Sequence, residues 1–586
     1  MHTRAEIEKV LQSGWIPYPA NQLVDMLQQA DPEVQECVIT LAERIRKLSE
    51  ISLALSAEHN LPRLLERIVD EARYMTHADG GTLYLVNKQG DALNFEIVHT
   101  DSLNVRMGGA SGDAITWPPV PLYHDESPNR ENVSAYVALT GETVNIPDVY
   151  TVDGFDFSGT RQFDKSTGYH SRSMLVIPMR NHEDEIIGVL QLLNKRDAVS
   201  GEVLPFREQS EDLIGGLASQ AAIAISNTRL IHGLEELFES FIQVIAAAID
   251  EKSPYTGGHI ERVANLTVRI AEEINRENTG DFAETTFDSD EMKELRIAAW
   301  MHDIGKITTP EYVVDKATKL ETIYDKIELI RLRYEVMKRD LEIMHLKSKL
   351  NGDEPEQGSL SGDNTPVDSV NRGSLENELQ WIKRANIGSE YITDQDREQI
   401  DEIARRTYFL EGDSRNLLEP EEIKNLKIGR GTLNGEERQV IQNHAAVSRK
   451  MLDQLPYPRK LENIPLYAGA HHEKLNGTGY PEGLQGEEIP LQTRMMALAD
   501  VFEALTAEDR PYKPGKKLSE AMNILGKMVE DNHLDRRIFE LFIHSGLVRE
   551  YANRYIKPEQ VDCLEYTLEG KPAGESQIRE ESERNA

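Results

Sequence analysis

The hydrophobic pattern of this chain changes once along its length, and that change limits the folds that its 586 residues can adopt. Residues 1–40 have the spacing of short helices. Between residues 41 and 228, helical spacing flanks short runs of β-branched and aromatic residues, namely GGTLYLV, ALNFEIVH, SMLVIPM and IIGVLQLL. After residue 228 helical spacing dominates. We therefore predict a multidomain protein, with an α+β domain over 41–228 and an all-α domain over 251–316 and 425–555.

A predicted helix over 229–250 connects these two domains. Its apolar residues alternate spacings of four and three, which is the pattern of a coiled-coil seam: Leu234, Phe238, Phe241, Ile245 and Ala248. The same spacing also fits an ordinary amphipathic helix that packs on its own domain. The position between two domains favours a signalling helix through which two copies of the chain form a homodimer.

The segment 317–424 separates the two parts of the all-α domain. Its first half keeps the same alternation over three heptads, through Ile323, Ile327, Ile330, Tyr334, Met337, Leu341 and Met344. The polar stretch 351–374 is predicted to be disordered, and a helical stretch follows near 375–405. We predict a coiled-coil-like helical hairpin, whose seam pairs with this second helix, with the other protomer or with another protein. The length of the polar linker favours the second helix. The tail 556–586 is predicted to be flexible.

Composition restricts the partners. The formal net charge is −36, a field that repels nucleic-acid polymers and anionic membranes. The only cysteines are Cys37 and Cys563, so neither a disulfide framework nor a thiolate zinc site is expected. The first residues lack the apolar core of a signal peptide, and no apolar run approaches the ~20 residues that span a bilayer. A cytoplasmic protein is expected.

Histidines and aspartates recur beside the predicted helices of the all-α domain. ELRIAAWMHDIGKI places His302 next to Asp303, so that an imidazole and a bridging carboxylate can serve metal ions. Further candidates lie in separate segments: His259, His444, His471, His472 and Asp500. One such histidine alone is more often structural than a ligand. The whole set favours a metal site, and its nitrogen and oxygen donors suit Fe, Mn or Zn.

Three segments, HDIGK, HHEKLNGTGYP and ALADVFEALTAEDRPYK, together resemble the HD-GYP family of metal-dependent phosphohydrolases. The resemblance covers about 251–316 and 425–515. It implies cleavage of cyclic di-GMP with two divalent ions, Fe or Mn, bridged by Asp303. It further implies that one ion is held by His259, His302 and Asp500, and the other by His444, His471 and His472.

The same resemblance assigns residues to the reaction and the substrate. Asp303 and Lys306 are implied to be catalytic, and Lys306 lies about one turn beyond the His-Asp pair, where it can contact a phosphate oxygen. Arg510 and Lys513 match family positions near the substrate, and Tyr480, at the rim of the site, is also expected to bind it. The alternative for Arg510 and Lys513 is a solvated basic loop. Local cations of this kind would let a strongly acidic protein hold a dianionic dinucleotide.

The stretch HHEKLNGTGYP is expected to fold sharply behind its two histidines. Turns at Gly477 and Gly479 would let both imidazoles face one ion, and Tyr480-Pro481 would form a rim with a fixed backbone. The family has aspartate where this chain has Asn476. Asparagine can hold a turn but offers no charge to a ligand histidine, so the support of the ligands is expected to differ here.

The α+β domain resembles a GAF domain of the branch found in cyclic-nucleotide phosphodiesterases and cyclases. The resemblance rests on ADGGTLYL, GETVNIPDVY, FDKSTGYHSRSMLVIPM and IIGVLQLLNK. It implies a sensor that binds a small ligand such as a cyclic nucleotide, or a module that only dimerises. Neither cysteine lies where a covalent bilin would attach.

Three functions are consistent with these features. The leading hypothesis is a sensor-regulated cyclic di-GMP phosphodiesterase. The second is a catalytically weak receptor that signals to a partner protein through 317–424. The third is a hydrolase of the same superfamily that acts on another nucleotide, and the GYP stretch argues against it.

Overall fold

A computed structural model describes residues 27, 30–58, 60–125, 127–252, 257–351, 372–389, 391–507, 515–567 and 570–572. The chain divides into two compact units, Met1–Leu237 and Phe238–Ala586. Within the described residues, no helix has both the length and the apolar character that a membrane crossing requires.

The first unit is built on an antiparallel sheet. Its helices are α1 (Pro32–Ala57), α2 (Leu61–Thr76), α3 (Val133–Thr140), α4 (Ser158–Thr167) and the start of α5 (Glu208–Asp250). Its strands are β1 (Ala78–Val86), β2 (Ala92–Thr100), β3 (Val105–Gly108), β4 (Val120–Pro121), β5 (Tyr123–His124), β6 (Ser127–Pro128), β7 (Val144–Ile146), β8 (Met174–Arg180), β9 (Ile186–Arg196) and β10 (Val203–Leu204).

The sheet has the order β3-β2-β1-β9-β8-β7, with β4 beside β2 and β10 beside β9. Side chains alternate across it, so that Leu83 and Leu85 join a core with α1, α2 and α5, whereas Tyr84 joins a second core under α3. Helix α2 begins where the Asn60 side chain accepts a hydrogen bond from the Arg63 amide, and it ends at His77 in the left-handed conformation. The predicted α+β class is confirmed for this unit.

The second unit is mainly helical, as predicted. Its helices outside the insertion are α6 (His259–Arg276), α7 (Ser289–Met301), α8 (Glu311–Val314), α13 (Gly435–Leu452), α14 (Ile464–Gly469), α15 (Leu491–Thr506), α16 (Leu518–Glu530), α17 (Arg536–His544) and α18 (Leu547–Tyr555). Short 3-10 helices cover Ile304–Thr308, Arg459–Leu461, Gly486–Glu488 and Pro558–Gln560. One apolar core joins these helices with the end of α5.

The insertion has its own core. Its elements are α9 (Ile327–Asn351), α10 (Arg372–Ala385), α11 (Asp394–Ala404), β11 (Thr407–Leu410), β12 (Asp413–Asn416) and α12 (Pro420–Leu426). Leu375, Leu379 and Ile382 of α10 pack against Ile330 and Tyr334 of α9. The second helix of the same chain therefore covers the first, although residues 407–416 form a β-hairpin that the helical prediction did not include.

The three-heptad seam of the insertion was predicted too long. Ile323 precedes the helix and is 91% exposed, and Met344 is 44% exposed, because α10 covers only the first part of α9. The predicted disorder over 351–374 is wrong at its ends, since Asn351 closes α9 and 372–374 open α10. Its remainder, 352–371, lies outside the described residues.

Two other predictions need correction. On α5, Phe238 and Ile245 pack against the core of the second unit, whereas Leu234 and Phe241 are 68% and 64% exposed, so part of the predicted seam is already covered within the chain. The tail is packed as far as residue 572 where it is described. Gln560 donates hydrogen bonds to two backbone carbonyls, and Tyr566 is buried in the core.

We predict that Leu379→Ala destabilises the insertion by about 2–5 kcal/mol, because it removes a buried side chain of the insertion core. Leu332→Ala, on α9 but 51% exposed, should cost much less. Amide hydrogen exchange over 317–426, followed with chemical denaturation, measures the difference. Equal effects of the two substitutions would show that packing between α9 and α10 does not hold the insertion together.

Candidate metal centre

Five separate segments of the second unit converge on one point. His259 is the first residue of α6, and His302 follows the last residue of α7. His444 lies within α13, His471 and His472 follow α14, and Asp500 lies within α15. Asp303 precedes the 3-10 helix Ile304–Thr308. All seven sequence-predicted ligands therefore meet, although up to 241 positions separate them in the chain.

The ligand atoms form two triplets around one carboxylate. The first is His259, His302 and Asp500, and the second is His444, His471 and His472; within each, one ligand atom per residue lies within 4.8 Å of the others. Asp303 Oδ2 lies 3.4 Å from His302 Nε2, and Oδ1 lies 3.3 Å from His444 Nε2. One oxygen of Asp303 thus faces each triplet, as a bridging ligand requires.

Buried polar atoms without a hydrogen-bond partner indicate that this centre suits metal ions. Of the buried polar atoms that lack a hydrogen-bond partner among the described residues, four belong to this centre: Nε2 of His302, His444 and His471, and Oδ1 of Asp303. Buried polar atoms are nearly always hydrogen-bonded, so a cluster of exceptions calls for an explanation. Imidazole nitrogen and carboxylate oxygen are both good donors to divalent transition metals. The residues present therefore fit the ions.

The other ring nitrogen of three histidines is fixed by the backbone. His302 Nδ1 lies 2.7 Å from the Ala299 carbonyl oxygen, and His471 Nδ1 lies 2.7 Å from that of Ala468. His444 Nδ1 makes the same contact with Ile441. A carbonyl can only accept, so each Nδ1 carries the proton and each Nε2 keeps a free lone pair for a metal.

His259 has a different support. Its Nδ1 contacts Glu503 Oε2, and Glu503 Oε1 accepts a hydrogen bond of 2.7 Å from Arg262 Nε. Sequence reasoning did not identify Glu503 or Arg262. The available signal was their spacing, because each lies three residues after a predicted ligand on the same helix, His259 on α6 and Asp500 on α15.

Ser448 and Gly305, which the sequence did not mark as site residues, hold the His-Asp pair against α13. Ser448 Oγ accepts from the Gly305 amide at 2.9 Å and donates to the His302 carbonyl at 2.8 Å. A Cβ on Gly305 would lie 2.0 Å from the His444 carbonyl oxygen. The backbone of the 3-10 helix therefore approaches α13 as closely as only glycine allows.

Burial and charge within the centre favour an ionised Asp303 and neutral His471 and His472. Burial also opposes the charged form of His259, but its contacts with Asp303, Asp500 and Glu503 hold its pKa well above the ordinary value. Burial opposes ionisation of Asp303, but the Lys306 ammonium and the neighbouring histidines hold the pKa of its carboxyl well below the usual range. Burial lowers the pKa of His472 to about 4, assisted by His444 and opposed by Asp500. Burial likewise keeps the pKa of His471 well below its ordinary value. The states of Asp303, His471 and His472 are those that metal binding needs.

Lys306, predicted to be a catalytic and substrate residue, lies at the edge of the centre. Its Nζ lies 2.5 Å from Asp303 Oδ2, and its side chain is about a quarter exposed. Asp250 and Glu311 line a cavity beside it. The other two predicted cations, Arg510 and Lys513, lie outside the described residues.

The turn behind the paired histidines places Tyr480 over the second triplet, with its ring centroid 4.8 Å from that of His472. Gly477 has a φ of 78°, which favours glycine. A Cβ on Gly479 would lie 2.4 Å from the Lys474 amide nitrogen, so glycine is needed for this close approach. Glu473 fixes the next residues, because its carboxylate accepts from the backbone amides of 482–484.

Asn476 has a structural role in the same turn. Its Nδ2 donates to the Asp531 carbonyl at 3.0 Å, and its Oδ1 accepts from the Thr478 amide at 3.0 Å. An aspartate could accept from Thr478 but could not donate to Asp531. The side chain of Asn476 therefore contacts its own turn and Asp531, the residue that follows α16. The hydrogen bonds that orient the ligand histidines come from other residues, as described above.

We predict that Gly305→Ala disrupts the centre, because the added Cβ overlaps backbone atoms of α13 and pushes Asp303 away from His444. Metal content by elemental analysis should fall, together with the unfolding temperature. Gly435→Ala is the control, since a Cβ at this first residue of α13 meets nothing within 4 Å. Full metal content in Gly305→Ala would show that this close contact does not position Asp303.

Comparison with protein families matches residues 60–225 to the GAF domain, and residues 256–385 and 417–538 to HD domains. The chain is 41% identical over 116 residues to 3'3'-cGAMP-specific phosphodiesterase 1 of Vibrio cholerae, covering 20% of this chain and 26% of that protein. It is 47% identical over 74 residues to a cyclic di-GMP phosphodiesterase of Pseudomonas aeruginosa, covering 12% of this chain and 17% of that protein.

A third relative is the dual 3',5'-cyclic-AMP and -GMP phosphodiesterase 11A of Takifugu rubripes, 30% identical over 207 residues, covering 35% of this chain and 21% of that protein. The chain therefore matches about a quarter or less of the length of these relatives. Both predicted resemblances are confirmed at the level of domains. The chain contains a GAF domain followed by an HD domain similar to those of cyclic-dinucleotide phosphodiesterases.

Proposed function

We propose that this protein is a metal-dependent phosphodiesterase that hydrolyses a cyclic dinucleotide, with cyclic di-GMP as the first candidate. The observation that carries the proposal is the pair of ligand triplets joined by Asp303. Two relatives named for cyclic di-GMP and 3'3'-cGAMP hydrolysis support the substrate class. We propose the seven residues as ligands to two ions, with Fe or Mn as the metal.

Two adjacent divalent ions supply an activated water and stabilise charge that develops on a phosphoryl group. The residues of this chain would prepare the site for that chemistry. Asp303 holds the two triplets in register, and Lys306 places a positive charge beside it for a non-bridging phosphate oxygen. Tyr480 presents an aromatic ring at the rim next to His472, where a base or ribose of the substrate can pack.

Arg510 and Lys513 are proposed as further phosphate contacts on their sequence positions. Burial raises the pKa of Tyr480, so its phenol stays protonated and can donate a hydrogen bond. His302, His444 and His471 are almost fully buried, which limits water at the ions to what the ligand shells admit. These groups together give a strongly acidic protein a local site for a dianion.

The proposed function also assigns a role to each part of the chain. We assign the sensor to 41–228, the catalytic domain to 251–316 with 425–555, and a regulatory insertion to 317–424. The insertion core and the catalytic core are separate clusters, and no potential ligand group among the described residues includes an insertion residue. A small ligand at the GAF domain would regulate hydrolysis, and the insertion is proposed as a surface for a partner protein.

The expected result for Asp303→Asn is loss of both ions and of hydrolysis. Loss of one supporting hydrogen bond to a ligand costs about 10–100-fold in metal affinity, so loss of the shared charge should cost more. Asp290→Asn is the control: this side chain in the first turn of α7 is 42% exposed and pairs with Lys460 at the surface, so metal content and hydrolysis should be unaffected. Metal-loaded protein is assayed on cyclic di-GMP, 3'3'-cGAMP and cyclic di-AMP with product analysis.

The dinucleotide that the metal-loaded wild-type protein cleaves fastest among these three is the preferred substrate. If wild-type protein binds two ions but cleaves none of the three, the proposed function is wrong, and the receptor function or hydrolysis of another nucleotide takes its place. If Asp303→Asn retains both ions, the bridging role of Asp303 is wrong.

We also propose a homodimer through α5, with a different seam from the one the sequence predicted. Five apolar residues spaced by four and three share one side of the helix and are each more than 60% exposed: Leu230, Leu234, Leu237, Phe241 and Val244. Spacing of this kind is that of the contact positions of a two-stranded coiled coil. An exposed stripe of this length is a typical interaction surface.

Leu234→Glu combined with Phe241→Glu should convert the dimer to a monomer, because like charges would face each other in the seam. Gln243→Glu combined with Ala247→Glu adds the same charge on other sides of α5 and should leave the dimer intact. Light scattering at micromolar concentration measures the mass. A monomeric wild-type protein would rule out this seam.

A further inference from the structure

The two ligand triplets carry different charge. We call them the His259 position (His259, His302, Asp500) and the His472 position (His444, His471, His472), and both share Asp303. Asp500 adds a full negative charge to the first, whereas the second has only neutral imidazoles besides the bridge. Lys306 offsets the charge of Asp303 but does not remove that of Asp500.

The surroundings increase this difference. Glu503 is 1% exposed and contacts the Nδ1 of His259, whereas the Nδ1 atoms of His444 and His471 face backbone carbonyls. A carboxylate acceptor draws the imidazole proton more strongly than a carbonyl does, and it makes the opposite nitrogen a stronger donor to a metal. The His259 position therefore has both the more anionic and the more basic ligand set.

Arg262 keeps Glu503 in this role. Its guanidinium contacts Glu503 Oε1, while Oε2 faces His259, so each carboxylate oxygen has its own donor. Arg262 lies three residues after His259 on α6, and Glu503 lies three residues after Asp500 on α15. The two helices thus each supply one ligand and one member of a buried ion pair. Such a pair fixes the orientation of the His259 ring.

The most exposed of the ligand residues lies at the His472 position. The His472 side chain is 25% exposed, compared with 11% for His259 and 12% for Asp500, whereas His444 beside it is 1% exposed. Solvent reaches an ion there more directly, and ligand exchange is easier at such an edge.

We infer that the two positions are inequivalent, that the His259 position binds its divalent ion first and more tightly, and that Glu503 with Arg262 is the positioning pair that sets this order. The inference rests on the proposed two-ion site. It adds that the ion at the His472 position is the exchangeable one, so that hydrolysis would respond to the supply of the second ion.

The test is a titration of the full-length, chelator-stripped protein with Mn²⁺ against a competing chelating dye. Electron paramagnetic resonance follows the same samples, because a single Mn²⁺ and a coupled Mn²⁺ pair give different spectra. We expect two dissociation constants at least about tenfold apart, because residues that support a metal ligand typically change metal affinity by about 10–100-fold. The spectrum should change from isolated to coupled Mn²⁺ as the second ion binds.

Glu503→Gln should raise the dissociation constant of the first ion by about 10–100-fold and leave that of the second ion nearly unchanged. Glutamine has one acceptor oxygen for two donors, so either His259 or Arg262 loses its partner. Arg262→Gln should raise the dissociation constant of the first ion by a smaller factor, since Glu503 keeps its charge. His472→Ala should abolish the second binding event and leave the first.

The control is Glu436→Gln, an exposed position in the first turn of α13, which should change neither constant. Two equal constants in the wild type, or equal weakening of both ions by Glu503→Gln, would overturn the inference. A Glu503→Gln protein with a lower unfolding temperature but unchanged constants would also overturn it, since the pair would then only support the fold. Fewer than two ions in the wild type would instead contradict the proposed function.

Discussion

The site depends on one carboxylate that two sets of histidines share. Asp303 lies between the triplets, and its position is set by the 3-10 helix that follows it and by α13. Ser448 joins these elements through two hydrogen bonds, and Gly305 allows their backbones to approach closely. Because five segments must reach the same few ångströms, the packed helical core acts as the frame that keeps the ligands in place.

Electrostatics within this frame follow from burial. The protein carries a net charge of −36, yet the centre concentrates histidines whose neutral form burial favours, beside carboxylates that stay ionised. The pairing of Glu503 with Arg262 places an extra charge pair behind one ligand only. The result is a site whose two halves meet at Asp303 but differ in charge and support.

Much of this could be predicted from sequence, because apolar spacing specifies elements and the ligand histidines stand in distinctive motifs. Spacing does not specify which side of a helix is covered, so Phe238 and Phe241 were assigned to one seam although only Phe238 packs on the core. The hairpin 407–416 has mostly exposed side chains, and although TYFL is rich in strand formers, it is only four residues long and its partner strand DSRN is entirely polar. Ser448 and Glu503 act through partners 143 and 244 positions away, a relation that no local pattern records.

The central claim is that Asp303 bridges two ions within this framework. Anomalous diffraction from crystals of the Mn²⁺-loaded protein, recorded on both sides of the manganese absorption edge, tests it most directly. The account predicts two peaks about 3.5–4 Å apart, one within each ligand triplet, with the Asp303 carboxylate between them. A single peak, or two peaks that Asp303 does not join, would contradict it.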